Sequence, residues 1–140
     1  MNKCDLCSDP IYPVIWKNNK FRLVEIDDPS YSAYYRVENI QHVKEMTDLE
    51  EKDRMELMQV VFTVESAIRT CYKPDKINLA SLGNLTPHIH WHIIPRFKND
   101  NHYPGSIWSK QKKFEKTKIS TQTKKKIKCN NFRKSKSISV

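Results

Sequence analysis

Three of the chain's five histidines alternate with large apolar residues in one short stretch, PHIHWHIIPR at residues 87–96. Alternation is the period of a β-strand, so His88, His90 and His92 are predicted to project from one face of a sheet and the apolar residues from the other. Core packing does not require three imidazoles in register. Because the imidazole pKa is the one that lies nearest neutral pH, such a row can carry nucleophilic, acid–base or metal chemistry. We therefore expect the functional site on this strand.

The remaining pattern predicts an α+β fold with a mainly antiparallel sheet and one long helix. Thr47 and Glu50 have capping-box spacing, and apolar residues then recur at helical spacing from Leu57 to Ile68 before Pro74 ends the helix. Strand-like runs bounded by turn residues lie on both sides of this helix. The predicted elements are strands at 21–26 and 33–40, a helix from Thr47 to Lys73, and strands at 77–82 and 87–94.

The basic residues are concentrated at the C-terminal end. The net charge is +9, but 12 of the 25 lysines and arginines lie in residues 109–140, against one acidic residue, Glu115. That segment carries +11, and residues 1–108 carry −2. Its apolar residues are sparse and share no period, which is typical of disorder or, at most, of a frayed helix docked near its start. The sequence thus predicts a folded domain at 1–108 that carries the histidine row, and a basic, low-complexity, disordered tail at 109–140.

Neither a membrane segment nor an export signal is evident. No run of about 18 apolar residues is present, and the first ten residues, MNKCDLCSDP, lack the apolar core of a secretory signal. We therefore expect a soluble, cytoplasmic protein without a membrane partner.

Several flanking motifs extend the histidine row. These are CDLC at 4–7, HVKEMTDL at 42–49, NLASLGN at 78–84 and Pro95-Arg96. With them, the chain resembles the histidine-triad (HIT) superfamily of nucleotide hydrolases and transferases from Cys4 to about Trp108, and especially a short bacterial branch of HIT-family hydrolases. The resemblance implies a HIT-like nucleotide-binding catalytic domain.

The resemblance implies that His90, the middle histidine, is the nucleophile. A neutral imidazole attacks the α-phosphorus of a nucleotide and forms a nucleotidyl-histidine intermediate that water hydrolyses. The backbone near His88 can accept the proton of the other ring nitrogen and fix the tautomer. His92 can hydrogen-bond the phosphate oxygens or protonate the leaving group. The implied substrates are dinucleoside polyphosphates or nucleoside phosphoramidates, with no cofactor for the chemistry.

The resemblance also implies substrate-binding residues. Relatives bind the ribose with an acid at the end of the first strand, and Asp27 is the nearest match, with Asp28 as the alternative. Asn84 is expected to cradle the phosphate oxygens, and Asn78 is the third substrate-binding candidate. Many relatives carry Gly-Gln where this chain has Gly83-Asn84, so substrate preference is the least transferable property.

A second constellation is Cys4-x-x-Cys7 with His42 and His88. Two thiolates and two imidazoles can complete a tetrahedral zinc site, and some bacterial relatives bind structural zinc with residues matching these four. His88 would then be a ligand and would not act in catalysis. A lone CxxC is also compatible with other uses, so both interpretations stay open.

Three alternatives remain at the level of the sequence. The row could form a catalytic metal site, for which His102 is the only uncommitted further ligand. The protein could be a nucleotide-binding regulator with low turnover. The basic tail could bind nucleic acid, although its two aromatic residues are too few for a stacking platform, so a solvated tail is favoured. The relatives imply a homodimer that pairs through the long helix.

Overall fold

The computed structural model describes residues 4–31 and 33–112. Within them the chain forms one five-stranded sheet in the order β1-β2-β3-β5-β4, and all four strand pairs are antiparallel. One long helix joins the third and fourth strands along the chain. The α+β class with an antiparallel sheet is therefore confirmed. The bounds are β1 Val14–Lys17, β2 Phe21–Glu25, β3 Tyr35–Asn39, α1 Glu51–Tyr72, β4 Lys76–Ala80 and β5 His90–Arg96.

Helix α1 covers one face of the sheet. Its buried stripe consists of Leu57, Val60, Val61, Val64 and Ile68, each fully buried. This stripe packs on alternate residues of the strands, including Leu23, Val37 and Ile93. Full burial of such a side chain stabilises the fold by about 1.5–3 kcal/mol relative to exposure. The sheet is thereby anchored on this face, and its opposite face carries polar residues beside a small buried cluster of Tyr31, Tyr34 and Ile94.

The ends of α1 differ in how well the sequence predicted them. The capping box predicted at Thr47 is wrong, because the reciprocal pair is formed by Glu45 and Asp48 around a short 3-10 turn at Met46–Asp48, and α1 begins at Glu51. At the other end Lys73 adopts the left-handed conformation, with φ 47°, and its N–H caps the helix on the Arg69 carbonyl. The predicted stop before Pro74 is confirmed.

The structure differs from the predicted strands in two places. β1 was not predicted, although it pairs with β2 at the sheet edge. β5 begins at His90, so His88 precedes the strand and the strand period applies to His90 and His92 alone. Trp91 packs towards the helix-covered core, as the alternation predicts.

Within the described residues, no helix combines the length and apolar character that a membrane crossing requires. The predicted tail lies outside the described residues from position 113 onward. Its first residues are described, and the Lys112 N–H donates to the Asn101 carbonyl at 3.0 Å.

Candidate functional site

His90 opens β5 on the sheet face away from α1, and its ring is oriented by the backbone. Its Nδ1 lies 2.7 Å from the carbonyl oxygen of His88. A carbonyl can only accept, so Nδ1 carries the proton and Nε2 carries the lone pair. Burial lowers the pKa of His90, against the opposing effect of this hydrogen bond. The ring is therefore a neutral imidazole with a fixed tautomer at neutral pH.

His92 lies next to His90 on the same face, with ring centroids 4.9 Å apart. The Tyr34 hydroxyl lies 2.7 Å from His92 Nδ1, and burial raises the pKa of Tyr34 to about 12. Because His92 is the one hydrogen-bond partner that the described residues offer this hydroxyl, we assign Tyr34 as the donor and Nε2 as the protonated nitrogen of His92. Burial, with the nearby His90 and Arg36, lowers the pKa of His92 to about 3. His92 is thus a neutral hydrogen-bond donor in the free protein.

A buried ion network lies beside these two histidines. Arg36 is opposite His92 in the β3–β5 register, and Glu38 is opposite His90. Glu38 is 1% exposed and accepts from Nε of Arg36 at 2.6 Å and from Nε of Arg22 at 2.6 Å. Two cations thus share one carboxylate. The charge of Arg36 lowers the pKa of both histidines and favours their neutral forms.

Arg22 also connects this network to the N-terminal segment. Its Nη2 donates to the Leu6 carbonyl at 2.8 Å and its Nη1 to the Ser8 carbonyl at 3.3 Å. These carbonyls belong to the segment that carries Cys4 and Cys7. The sheet therefore fixes the position of the CxxC motif.

The structure brings together the four residues of the predicted zinc site. Nδ1 of His88 lies 3.4 Å from Sγ of Cys4, 3.6 Å from Sγ of Cys7 and 3.2 Å from Nδ1 of His42. His42 Nδ1 is in turn 3.3 Å from Cys7 Sγ. All four candidate ligand atoms lie within 4.8 Å of one another. The edges of a tetrahedral zinc site with these ligands measure about 3.3–3.8 Å.

The tautomer of His88 fits the same role. Its Nε2 donates to the Asn39 carbonyl at 2.7 Å, so the Nδ1 that faces the two cysteines carries a lone pair. Burial lowers the pKa of His88, which favours the neutral ring that a metal requires. Cys4 and Cys7 are free cysteines. The donor set and the hydrogen bond from His88 to the Asn39 carbonyl therefore suit zinc.

The catalytic metal alternative requires a further ligand beside the triad, for which His102 was the candidate. Nδ1 of His102 contacts the Tyr31 hydroxyl, and the two rings stack with centroids 5.9 Å apart. In the part of the chain that the structure describes, the potential metal group contains His88 but neither His90 nor His92. The structure gives no support to the catalytic metal alternative.

The predicted ribose and phosphate ligands lie on loops. Asp27 is exposed, two residues beyond the end of β2. The carboxylate of Asp28 instead accepts the N–H of Ser30 at 2.8 Å, which favours Asp27 over Asp28 as a free ligand. Asn84 is exposed in the loop before β5, after Gly83 at φ 68°. The ribose-binding role of Asp27 and the phosphate-binding role of Asn84 remain predictions.

Asn78 lies on β4 and is engaged by a buried cation. Its Oδ1 accepts from Nη1 of Arg96 at 2.7 Å, and Arg96 is 1% exposed. The side-chain oxygen of Asn78 therefore has a structural partner, so only its side-chain nitrogen could contact substrate.

Sequence reasoning missed Tyr34, Arg36, Glu38 and Arg22. A signal was present, because Tyr34, Arg36 and Glu38 alternate with apolar residues just as the histidines do. Only the strand pairing shows that this alternation faces the histidines.

Comparisons with known proteins agree with this geometry. A protein-family model described as the HIT domain matches residues 12–99. Among solved structures, a histidine triad protein from Bradyrhizobium japonicum is 29% identical, with a TM-score of 0.66 over 72% of this chain and 75% of that one. No curated protein matches the sequence.

Two more distant structures share the fold. A hypothetical histidine triad nucleotide-binding protein from Sulfolobus tokodaii is 24% identical, with a TM-score of 0.59 over 81% of this chain and 82% of that one. The diadenosine triphosphate hydrolase of Plasmodium falciparum is 17% identical, with a TM-score of 0.56 over 62% of this chain and 63% of that one.

Proposed function

The chain belongs to the HIT domain family, and from this premise we propose that it is a hydrolase of dinucleoside polyphosphates or nucleoside phosphoramidates that cleaves at the α-phosphate. The orientation of His90 is the observation that carries the proposal. Its Nδ1 is committed to the His88 carbonyl at 2.7 Å, and its ring is buried and neutral. An imidazole in this state presents Nε2 as a nucleophile towards phosphorus.

The chemistry proceeds in two displacements. Nε2 of His90 attacks the α-phosphorus, the bond to the leaving group breaks, and that group departs with the bonding electron pair. A phosphate leaves as the anion, whereas a leaving nitrogen takes up a proton from His92 or from solvent and departs as the amine. The new phosphorus–nitrogen bond places positive charge on the ring, which the His88 carbonyl stabilises through the Nδ1–H hydrogen bond. Water then attacks phosphorus and releases a proton to solvent, the phosphorus–nitrogen bond breaks with its electron pair returning to Nε2, and neutral His90 is restored.

His92 has a supporting role in this scheme. Its Nε2–H donates a hydrogen bond to a non-bridging phosphate oxygen, which suits a group whose pKa of about 3 keeps it neutral. Donation of a proton to the leaving group becomes feasible only when the anionic substrate raises that pKa. Asp27 would accept from the ribose hydroxyls, and the amides of Asn84 and Asn78 would donate to the phosphate.

We also propose structural zinc at the Cys4, Cys7, His42 and His88 cluster. When bound, the ion would supply a cross-link and no part of the reaction. Cys4 and Cys7 would hold the N-terminal segment against His88, whose backbone carbonyl orients the nucleophile. The chemistry itself needs no cofactor in this scheme.

We further propose that the protein forms a homodimer that pairs through α1. Met55 and Phe62 are 66% and 51% exposed, and their seven-residue spacing places them on one side of the helix. Light scattering of wild type and of Phe62→Glu tests this pairing, and a monomeric wild type would contradict it.

The test of the reaction uses a panel of dinucleoside polyphosphates and nucleoside phosphoramidates with wild type and His90→Ala. Wild type should release a nucleoside monophosphate and should show a nucleotide adduct by intact mass after rapid quenching in alkaline denaturant. His90→Ala should show neither, while its circular dichroism spectrum stays that of wild type. Normal turnover in His90→Ala would contradict the role of His90 as nucleophile. Tight nucleotide binding without any adduct or product would indicate the low-turnover regulator instead.

A further inference from the structure

The side chain of Arg36 extends along β3 on the sheet face that carries His90 and His92. In the β3–β5 register Arg36 is opposite His92, and Glu38, two residues further on the same face, is opposite His90. Nε and Nη2 of Arg36 both lie 2.6 Å from the same carboxylate oxygen of Glu38. Paired strands are only about 4.8 Å apart. The guanidinium therefore lies beside the two imidazoles, on their β3 side.

One edge of this guanidinium has no partner among the described residues. Arginine carries five N–H donors, and Nη1 of Arg36 donates to no residue in that part of the chain, because its contacts with Glu38 use Nε and Nη2. Every buried side-chain nitrogen or oxygen there has a hydrogen-bond partner. Nη1 is therefore accessible, which agrees with the 18% exposure of the side chain. Its two donors are open to a ligand.

The guanidinium is nevertheless held in one position. Glu38 is 1% exposed, and Nε of Arg22 fixes its other carboxylate oxygen at 2.6 Å. The ring of Tyr12 covers the guanidinium of Arg36, with the ring centroid 5.8 Å from Cζ. A cation that is already oriented loses little further conformational freedom when an anion binds to it.

The local charge favours an anionic ligand. Arg22 and Arg36 contribute two positive charges and Glu38 contributes one negative charge, so this buried network has an excess of one positive charge. The adjacent His90 and His92 do not offset it, because burial and the charge of Arg36 lower their pKa values and keep both rings neutral. A phosphate group would supply the missing negative charge, and its oxygens match the donors of a guanidinium.

The expected position of a nucleotide brings its phosphate to this cation. β3 lies between β5 and β2 in the sheet, and β4 lies on the other side of β5. Asp27, the candidate ribose ligand, is two residues beyond the end of β2. A nucleotide with its phosphate at His90 and its ribose towards Asp27 therefore crosses β3. Arg36 lies on the side of the histidine pair that this nucleotide would occupy.

We propose that Arg36 is a substrate-contacting residue whose free guanidinium edge binds the non-bridging oxygens of the α-phosphate. This inference rests on the proposed function, because it assumes that the α-phosphate binds at His90. His92 contributes a hydrogen bond from a neutral ring, whereas Arg36 contributes a full positive charge. Because the α-phosphate stays anionic in the substrate, the histidine adduct and the released monophosphate, Arg36 stabilises all three complexes.

The experiment compares the binding of AMP and adenosine by titration calorimetry, since the two ligands differ only in the phosphate. Wild type should bind AMP more tightly. Arg36→Gln should weaken AMP binding by roughly ten- to a hundredfold, as expected for the loss of a charge-assisted hydrogen bond, and should leave adenosine binding unchanged. Arg36→Lys, which keeps the charge but not the planar fork, should retain part of the preference for AMP.

Arg22→Gln is the matched control, because Arg22 shares the carboxylate of Glu38 with Arg36. All three guanidinium nitrogens of Arg22 donate within the protein, the other two to the carbonyls of Leu6 and Ser8. This variant disturbs the same network and should lower the melting temperature, but it should keep the wild-type ratio of AMP to adenosine affinity. If either glutamine variant does not fold, the two lysine variants at these positions are compared instead, and only that at Arg36 should lower the ratio.

The outcomes separate this inference from the proposal on which it rests. A wild-type affinity ratio in Arg36→Gln overturns the phosphate contact, and so does a wild type that binds AMP no more tightly than adenosine; a nucleotide adduct on wild type would still support His90 as nucleophile. An equal fall of the ratio in Arg22→Gln, or an equal loss of AMP and adenosine affinity in Arg36→Gln, assigns Arg36 to the ion network alone and also overturns the inference. A wild type that forms no adduct and binds no AMP overturns both.

Discussion

The Nδ1 of His90 donates to the backbone carbonyl of His88, and the ring of His88 faces Cys4, Cys7 and His42. One residue thus contributes its backbone to the candidate nucleophile and its side chain to the candidate metal cluster. The two sites are joined through a single peptide unit, although their chemistry is separate.

Loss of the cysteines should therefore affect stability first and turnover second. In Cys4→Ser/Cys7→Ser we expect the bound zinc to disappear and the melting temperature to fall, because the N-terminal segment loses its cross-link. The turnover number should fall less than in His90→Ala, since His90 keeps its hydrogen bond to the His88 backbone. Elemental analysis and differential scanning calorimetry measure the two effects. Carefully purified wild type without zinc would end the proposal of a structural site.

Removal of the Tyr34 hydroxyl should slow the reaction. Tyr34→Phe leaves Nδ1 of His92 without its donor, so the Nε2–H tautomer is no longer favoured. We expect about a tenfold lower kcat, the equivalent of one hydrogen bond, with KM nearly unchanged. Tyr35→Phe is a matched control, because it removes a hydroxyl bonded to Tyr72 on the helix-covered face at 2.8 Å. Equal kcat values in both variants would contradict the role of Tyr34.

The stability of the fold should depend on the protonation of His92. Burial lowers its pKa to about 3 from an ordinary value of 6.5, so between these values the unfolded chain binds the extra proton. The free energy of unfolding should then decrease as the pH falls from 6.5 towards 3. Burial alone would raise the pKa of Asp100, but hydrogen bonds from Arg96 and from two backbone N–H groups lower it from 3.8 to about 2, so its stabilising contribution is lost as the pH falls from about 3.8 towards 2.

Urea denaturation between pH 7 and pH 4.5 measures this dependence. His92→Asn should show a shallower decline than wild type, and a residual slope is expected because the pKa of His90 is also lowered. An unchanged slope in His92→Asn would show that His92 is protonated equally in the folded and unfolded chains.

Neutralisation of Glu38 should destabilise the sheet. Glu38→Gln leaves Arg22 and Arg36 without their shared anion, and removal of one partner of a buried ion pair costs about 3–5 kcal/mol. Lys44→Ala is the control, because the Lys44–Glu45 pair is 4.0 Å apart with side chains 66% and 64% exposed. That variant should change stability by less than about 1 kcal/mol. Comparable losses in both variants by denaturant titration would contradict the importance of the buried network.

Local patterns predicted the elements in which core-facing residues recur at a regular period. The stripe of α1 and the alternation around Trp91 each separate a core side from another side, so period alone identifies them. The strand β1 has only four residues, and both of its terminal residues, Val14 and Lys17, are exposed, so it offers no comparable period. Thr47 had the spacing of a cap, but the residues that form the capping box are Glu45 and Asp48.

The candidate site was predictable where the motif is contiguous and not where it is assembled across strands. His90 and His92 follow from one stretch of sequence. Tyr34 and Arg36 reach them only through the pairing of β3 with β5, which no local pattern specifies. Asn78 is the opposite case. Its sequence motif suggested a substrate ligand, but in the fold its side-chain oxygen accepts a hydrogen bond from Arg96.

The Cys4–His88 contact joins residues 84 positions apart, nearly the whole length of the domain that precedes β5. Contacts of such sequence separation form late, because most of the intervening chain must first be ordered. All four ligands can therefore meet only in a chain that has already paired its outer and inner strands. Zinc bound by the complete set would mark a finished fold, so the fraction of molecules that hold the ion with all four ligands would set a lower bound on the fraction that had completed folding.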